Sequence, residues 1–287
     1  MAYRAIALDF QLWSRTREEI QLLHLEHFAT LLDASRHKRF NIKQRMGKMG
    51  IVRKLLFVFQ TDWYPNEMLP FILEALKVVA EANFSVDEAI RPIVSYLAAN
   101  LQERERPFFV SESRLTFFPA RGGASSPRSI ISRIDNLNAQ YKAEQVFKML
   151  VSILDNPVMF NKFTAALPLT RICLLLLGDQ PSPLVATLVL RLISTALGIS
   201  TSFSRKFELV SGWNVLRLML PYGWDRSVQD AAFDILLGRS RDKKEIVPTV
   251  VCPYIVPTIF SSLRMALDSS RVSDDAEGEW VPRSCSI

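Results

Sequence analysis

Apolar residues recur at three- and four-residue spacing along most of this chain, and the strict alternation of a half-buried strand is nearly absent. That pattern commits the backbone to short amphipathic helices, each with a face that must be buried on a neighbour. Thr16 and Glu19 have capping-box spacing ahead of Ile20, Leu23, His24, His27, Phe28 and Leu31, which read as one helical stripe. A second helix is predicted from Ile42 to Thr61, aligning Met49, Val52, Leu55, Leu56 and Phe59, with Trp63, Tyr64 and Pro65 ending it. A third, from Met68 to Ala82, aligns Met68, Ile72, Ala75, Leu76 and Val79. Ser85 and Glu88 form a second capping box that opens a helix to Leu101, in which Pro92 either kinks the helix or marks its true first turn.

Residues 102–136 interrupt the pattern. They carry charges, two Gly, three Pro and many Ser without a sustained stripe, and read as a long exposed loop. Helices resume from Leu137 to Leu154, then over 157–166, 168–177, 183–197, 203–220, 226–237 and 253–267. Leu177-Gly178, Leu197-Gly198 and Leu237-Gly238 look like helix stops, since Gly tolerates the left-handed conformation that ends a helix. Their spacing suits the helix pairs of armadillo and HEAT repeats. The fold class read from the sequence is therefore all-α, an armadillo/HEAT-like α-solenoid (superhelix) with a long irregular loop. Its predicted parts are helical repeats over 1–101, a linker over 102–136, further helical repeats over 137–268, and a polar, disordered tail over 269–287.

Composition supports a globular chain: 287 residues, 49% hydrophobic and 22% charged, enough to build a core. The net charge of +6 is spread along the sequence rather than gathered in a tail. Cys173, Cys252 and Cys285 form no CxxC pair, and an odd number leaves one unpaired in any disulfide scheme, which favours a reducing compartment. The first residues lack the pattern of a secretory leader, and the apolar stretch 165–198 is broken by Pro, Arg and Asp. A cytoplasmic location is expected, peripheral to endomembranes.

No phosphate-cradling loop, nucleophile elbow or zinc-protease motif occurs. Gly47-Lys48-Met49-Gly50 has the GxxG form of KH modules but no flanking strands, so it reads as a weak point or turn within the second helix. His24 and His27 can reach one ligand in principle, yet a structural metal wants three or four ligands; they read as a core-facing pair. No catalytic, cofactor or metal residue is assigned, and the chain is read as a non-enzyme without cofactor. Trp213 and Trp224 read as core packing.

The strongest constellation is basic: Arg36, Lys38, Arg39, Lys43, Arg45, Lys48, Arg53 and Lys54, with no acidic residue between Asp33 and Asp62. Such a run suits an acidic protein partner, RNA or an anionic membrane surface. The competing reading is a solvated face neutralised by neighbouring carboxylates. RNA is the weaker choice, because helical-repeat readers use a side-chain code at fixed repeat positions and none is visible. Ser126, ahead of Pro127 and Arg128, fits a proline-directed kinase.

Four segments carry a family resemblance: ALDFQLWSRT, FNIKQRMGKMGIVRKLLFVFQTDWYP, RPIVSYLAANL and SGWNVLRLMLPYGWDRSVQDAAFDILLGR. In texture and order they resemble the armadillo-like region upstream of the BEACH domain in Beige/BEACH-family proteins, the autophagy-linked FYVE type and its fungal relatives above all. The resemblance implies a protein-binding scaffold in vesicle and membrane trafficking, lysosome or vacuole biology, or autophagy. It carries no catalytic motif, and no BEACH or WD-repeat sequence is present in this chain. The alternative is a free-standing helical-repeat adaptor that binds RNA or an acidic protein through its basic surface.

Overall fold

A computed structural model describes residues 6, 8–33, 48–60, 64, 66–101, 127–178, 181–200, 202–238 and 251–277. Every regular element among the described residues is helical, as the spacing predicts. The chain divides into two compact units, Met1–Leu169 and Thr170–Ile287.

The first unit contains α1 (Phe10–Trp13), α2 (Glu18–Asp33), α3 (Ile51–Gln60), α4 (Leu69–Ala82), α5 (Arg91–Asn100), α6 (Pro127–Leu154) and α7 (Pro157–Ala166). α6 is its centre and packs on α3, α4, α5 and α7. The predicted stripe of α3 is the buried one: Val52, Leu55, Leu56 and Phe59 are inside, with Ile51 and Val58 beside them. The same holds for Met68, Ile72, Ala75, Leu76 and Val79 around α4.

Local expectations are refined at four places. The buried face of α2 is Gln21, His24, Leu25, Phe28 and Leu32, whereas Ile20 and Leu23 face solvent. The predicted stripe had His24 and Phe28 on the right side, but it took in the exposed Ile20, Leu23 and His27 and left out the polar Gln21. Gln21 is inside because its Nε2 donates to the carbonyls of Ser14 and Thr16, each at 3.0 Å. His24 is inside because it stacks on Trp13, with ring centroids 4.3 Å apart, and meets the edge of Phe10. Thr16 does not cap α2; its hydroxyl donates to the Trp13 carbonyl, and Arg17 O accepts the first N–H groups of the helix.

Next, α3 begins at Ile51 and not at Ile42, whose surroundings (41–47) lie outside the described residues. Gly50 takes a left-handed φ of 69°, a turn conformation, and its carbonyl accepts from Lys54 N–H. The third correction is at Pro92. It lies in the first turn of α5, as one of its two readings held, but the chain enters through a π-helical turn, Val86–Ile90. Proline has no N–H to give, and the wider turn instead links Ile90 N–H to Ser85 O and Arg91 N–H to Val86 O.

The fourth is α6, which starts at Pro127, ten residues before Leu137, so the end of the predicted 102–136 loop is helical. The signal was present: Ile130, Ile131, Ile134 and Leu137 stand at helical spacing behind a proline that suits a first turn. Residues 102–126 lie outside the described residues.

The second unit contains α8 (Leu169–Leu177), α9 (Pro183–Ile199), α10 (Phe203–Leu209), α11 (Gly212–Met219), α12 (Arg226–Leu237) and α13 (Val256–Glu277). Two 3-10 turns, Leu220–Gly223 and Pro253–Ile255, precede α12 and α13. α9 packs along α12, and α13 packs on α11 and the turn Leu220–Gly223. Caps fix both partners of the first pair: Ser182 Oγ accepts from Val185 N–H, and Asp225 Oδ1 from Val228 N–H. A bond between the hydroxyls of Thr187 and Ser227, at 2.8 Å, ties α9 to α12.

Gly178 and Gly238 are left-handed, as the helix-stop reading requires, but Gly198 lies inside the last turn of α9. The single helix expected over 203–220 is two, broken at Ser211, which is left-handed with φ 55°. The break lets Gly212 lie against the Phe207 ring and Trp213 meet its edge at 5.0 Å. The helix predicted to end at 267 continues to Glu277, into the expected tail; residues 278–287 lie outside the described residues.

Burial also sets a pH dependence. Burial pushes the Cys173 thiol up from 9.0 to about 12. It pushes the Tyr96 and Tyr64 phenols up as well, the latter with help from the Asp9 carboxylate. Tyr64 donates to Phe10 O at 3.1 Å, which holds α1 down. A group raised in the folded state contributes its stability below the unfolded value and loses it as pH rises through the folded one. For Cys173 the window therefore opens at pH 9 and closes near 12. Stability should fall there by about 1.4 kcal/mol per pH unit for that thiol. Urea midpoints at pH 8, 9.5 and 11 check this; a constant midpoint contradicts it.

Candidate functional site

Of the eight basic residues singled out, Lys48, Arg53 and Lys54 are described; Arg36, Lys38, Arg39, Lys43 and Arg45 lie outside the described residues, as does Ser126. Lys48 is exposed ahead of α3. Arg53 is exposed, and its Nη2 donates to the backbone carbonyl of Asp87 at 3.4 Å. Lys54 is half-buried, and its Nζ donates to the Leu8 carbonyl at 3.0 Å. Arg53 and Lys54 thus bind α3 to the π turn and to the segment before α1. They are consecutive in the sequence, and the helix sends them to different neighbours.

The two histidines part in the same way. His24 is buried against Trp13, and His27 is exposed. Among the described residues, no group of three or more His, Cys, Asp or Glu is placed to hold a metal ion. Cys173 and Cys252 are buried free thiols, and burial pushes both up, away from the thiolate a nucleophile needs. Trp213 is buried and stacks on Tyr254 at 5.9 Å, the packing role expected of it.

The feature that sequence reasoning missed is the orientation of α13. A helix places residues three, four and seven apart on one face. Val256, Phe260, Leu263 and Leu267 follow that spacing and form the apolar face of α13. In the second unit this face points outward: Phe260 is 68% exposed, Leu263 37% and Leu267 64%. The opposite face, turned to α11 and the turn Leu220–Gly223, carries Thr258 and Ser262, both with no exposure. Among the described residues, neither of those hydroxyls has a hydrogen-bond partner.

This is the reverse of an ordinary surface helix, which buries its apolar stripe. A buried hydroxyl without a partner costs about 1–3 kcal/mol. Each large apolar side chain left in water forgoes about 1.5–3 kcal/mol of burial. Only Ile259 and the rest of the inner face hold the helix to its own unit. Arg264 and Asp268 flank the outer stripe 3.9 Å apart and give it a polar rim. An apolar centre with a charged border is the anatomy of a helix-binding surface.

No single helix among the described residues is long and apolar enough to cross a membrane. No protein-family model, curated protein or solved structure matches this chain.

Proposed function

We propose that this chain is a non-catalytic protein-interaction scaffold: an armadillo-like α-solenoid region of a BEACH-type trafficking protein. It acts in the cytoplasm, peripheral to endomembranes. The observation that carries the interaction role is the outward apolar face of α13. Its occupant is an amphipathic helix of a partner protein, laid along Phe260, Leu263 and Leu267 with its own apolar anchors at matching spacing. The family assignment is supported by the four segments given above and by their helical setting: the segments from Arg91 and Ser211 form α5 and α11–α12.

The interaction is tested by a photo-crosslinking residue at position 263 of the full chain in its native host cell. A discrete adduct identified by mass spectrometry is expected, and Phe260→Ser with Leu267→Ser should reduce it about tenfold, the loss of about 1.4 kcal/mol. Those two positions are exposed, so helicity and solubility should hold. An adduct that survives both changes, or one formed equally from Asn214 on α11, overturns the assignment of this face. The family reading is tested by long-read transcripts across the locus. Reading into BEACH sequence supports it, and a transcript that yields only a 32.7 kDa product sinks it.

A further inference from the structure

We propose that a groove on the first unit receives a basic amphipathic helix from a partner protein. The groove, about 600 Å3 in volume, lies between α2 and the start of α4. Among the described residues, its walls carry four carboxylates, Glu18, Glu19 and Glu26 from α2 and Glu67 from the 3-10 turn Asn66–Met68, with Arg17 as the one cation. Its floor is apolar: Leu22, Met68 and Phe71. Leu22 is 38% exposed and Phe71 52% exposed, so the floor is open to a ligand.

Charge complementarity fixes the sign of the occupant. The whole chain is +6, yet the groove has four carboxylates against one guanidinium. None of these five side chains is ion-paired within the described residues. Glu18 and Glu19 lie in the first turn of α2, where the helix dipole favours a carboxylate. Glu26 is two turns further along, and Glu67 belongs to another element, so the dipole accounts for neither. Lipid headgroups of net negative charge and nucleic acid are excluded by the same sign.

Shape and floor fix the rest. Glu19, Leu22 and Glu26 share one face of α2 at three- and four-residue steps, about 10 Å along the axis. A helix laid there places Leu, Met or Phe on Leu22 and Phe71, with Lys or Arg one turn to either side. A simple polycation lacks the anchor, and an apolar helix lacks the cations. This groove is built from α2, the 3-10 turn Asn66–Met68 and the start of α4, and owes nothing to the α13 face.

The test uses the full chain and a fluorescein-labelled peptide of about 14 residues in which Leu and Lys alternate at helical spacing. Wild type is expected to bind it at least about tenfold more tightly than the double variant Glu19→Gln with Glu26→Gln. Phe71→Ser should weaken binding about fivefold, whereas Glu81→Gln with Glu208→Gln, which removes the same charge elsewhere, should leave it within about twofold. Circular dichroism identical to wild type confirms that each variant is folded. Equal loss in the control pair, no effect of Phe71→Ser, or equal binding of a counterpart peptide with Glu in place of Lys overturns the proposal. So does self-association of the wild-type chain that the groove variant abolishes, since a second copy would then be the occupant. Crosslinking from position 263 is scored in the same variants: its persistence when groove binding is lost separates the two surfaces.

Discussion

Phe147→Ala should destabilise the first unit by about 3–5 kcal/mol, the cost of removing a buried aromatic ring and leaving its cavity. Phe147 has no exposed surface and lies on α6, the helix that touches α3, α4, α5 and α7. Ala143, Val146 and Leu150 on the same helix are equally buried, and so are Leu55 on α3, Leu76 on α4 and Leu97 on α5. Interiors are close-packed and relax only partly around a void, so the loss on a helix that packs on four others is not recovered locally. Hydrogen exchange is the measurement that checks it. Amides of α3 to α6 should lose about two to three powers of ten in protection, the lower end of that free-energy range. Protection within a factor of ten of wild type would mean that α6 is not the centre of this unit.

Gly223→Ala should cost the second unit about 3 kcal/mol, the upper end of what overpacking costs. A Cβ at Gly223 would stand 2.5 Å from the carbonyl oxygen of Pro181. That oxygen belongs to the backbone just ahead of the Ser182 cap of α9, so the clash cannot be relieved by a rotamer change. Gly198→Ala is the matched control. It lies in the last turn of α9 with nothing within 4 Å of its Cβ position. There alanine should stabilise by about 0.5–1 kcal/mol, through helix propensity alone. Thermal denaturation of the two variants should therefore move in opposite directions. A shared direction would show that the approach of the Leu220–Gly223 turn to Pro181 is wrong.

The two surfaces proposed here differ in how they arise. The α13 face is apolar with a thin polar rim and draws on burial, so its binding should be insensitive to salt. The groove between α2 and α4 combines carboxylates with an apolar floor, so its affinity should fall as salt screens the exposed charges.

Much of the fold was legible in the sequence. Helical spacing gave α4, α7, α8, α9 and α12 nearly to the residue, because each has an apolar stripe and most have a clear punctuation: Pro at the start of α7 and α9, Gly after α8 and α12. Local chemistry carries that information, and local chemistry is what a sequence displays. The misplaced face of α2 marks where it ends. Gln21 is inside because the carbonyls of Ser14 and Thr16 accept from its amide, and those partners meet it only once the chain ahead of α2 has folded back.

The candidate surfaces were less legible, for a related reason. A run of cations such as Lys48, Arg53 and Lys54 looks like one site in the sequence, but the helix sends Arg53 to Asp87 and Lys54 to Leu8. The four carboxylates of the groove, by contrast, are split between residues 18–26 and 67, and only packing brings them to one place. α13 is the plainest case. The sequence by itself determined that Val256, Phe260, Leu263 and Leu267 form one apolar stripe, since 3.6 residues per turn leave no other arrangement. Which way that stripe faces was decided only by the tertiary structure. The inner face, with the buried Ile259, packs on α11 and the turn Leu220–Gly223 and leaves the longer stripe outward, and periodicity is blind to that choice because it fixes a helix's faces but not its neighbours.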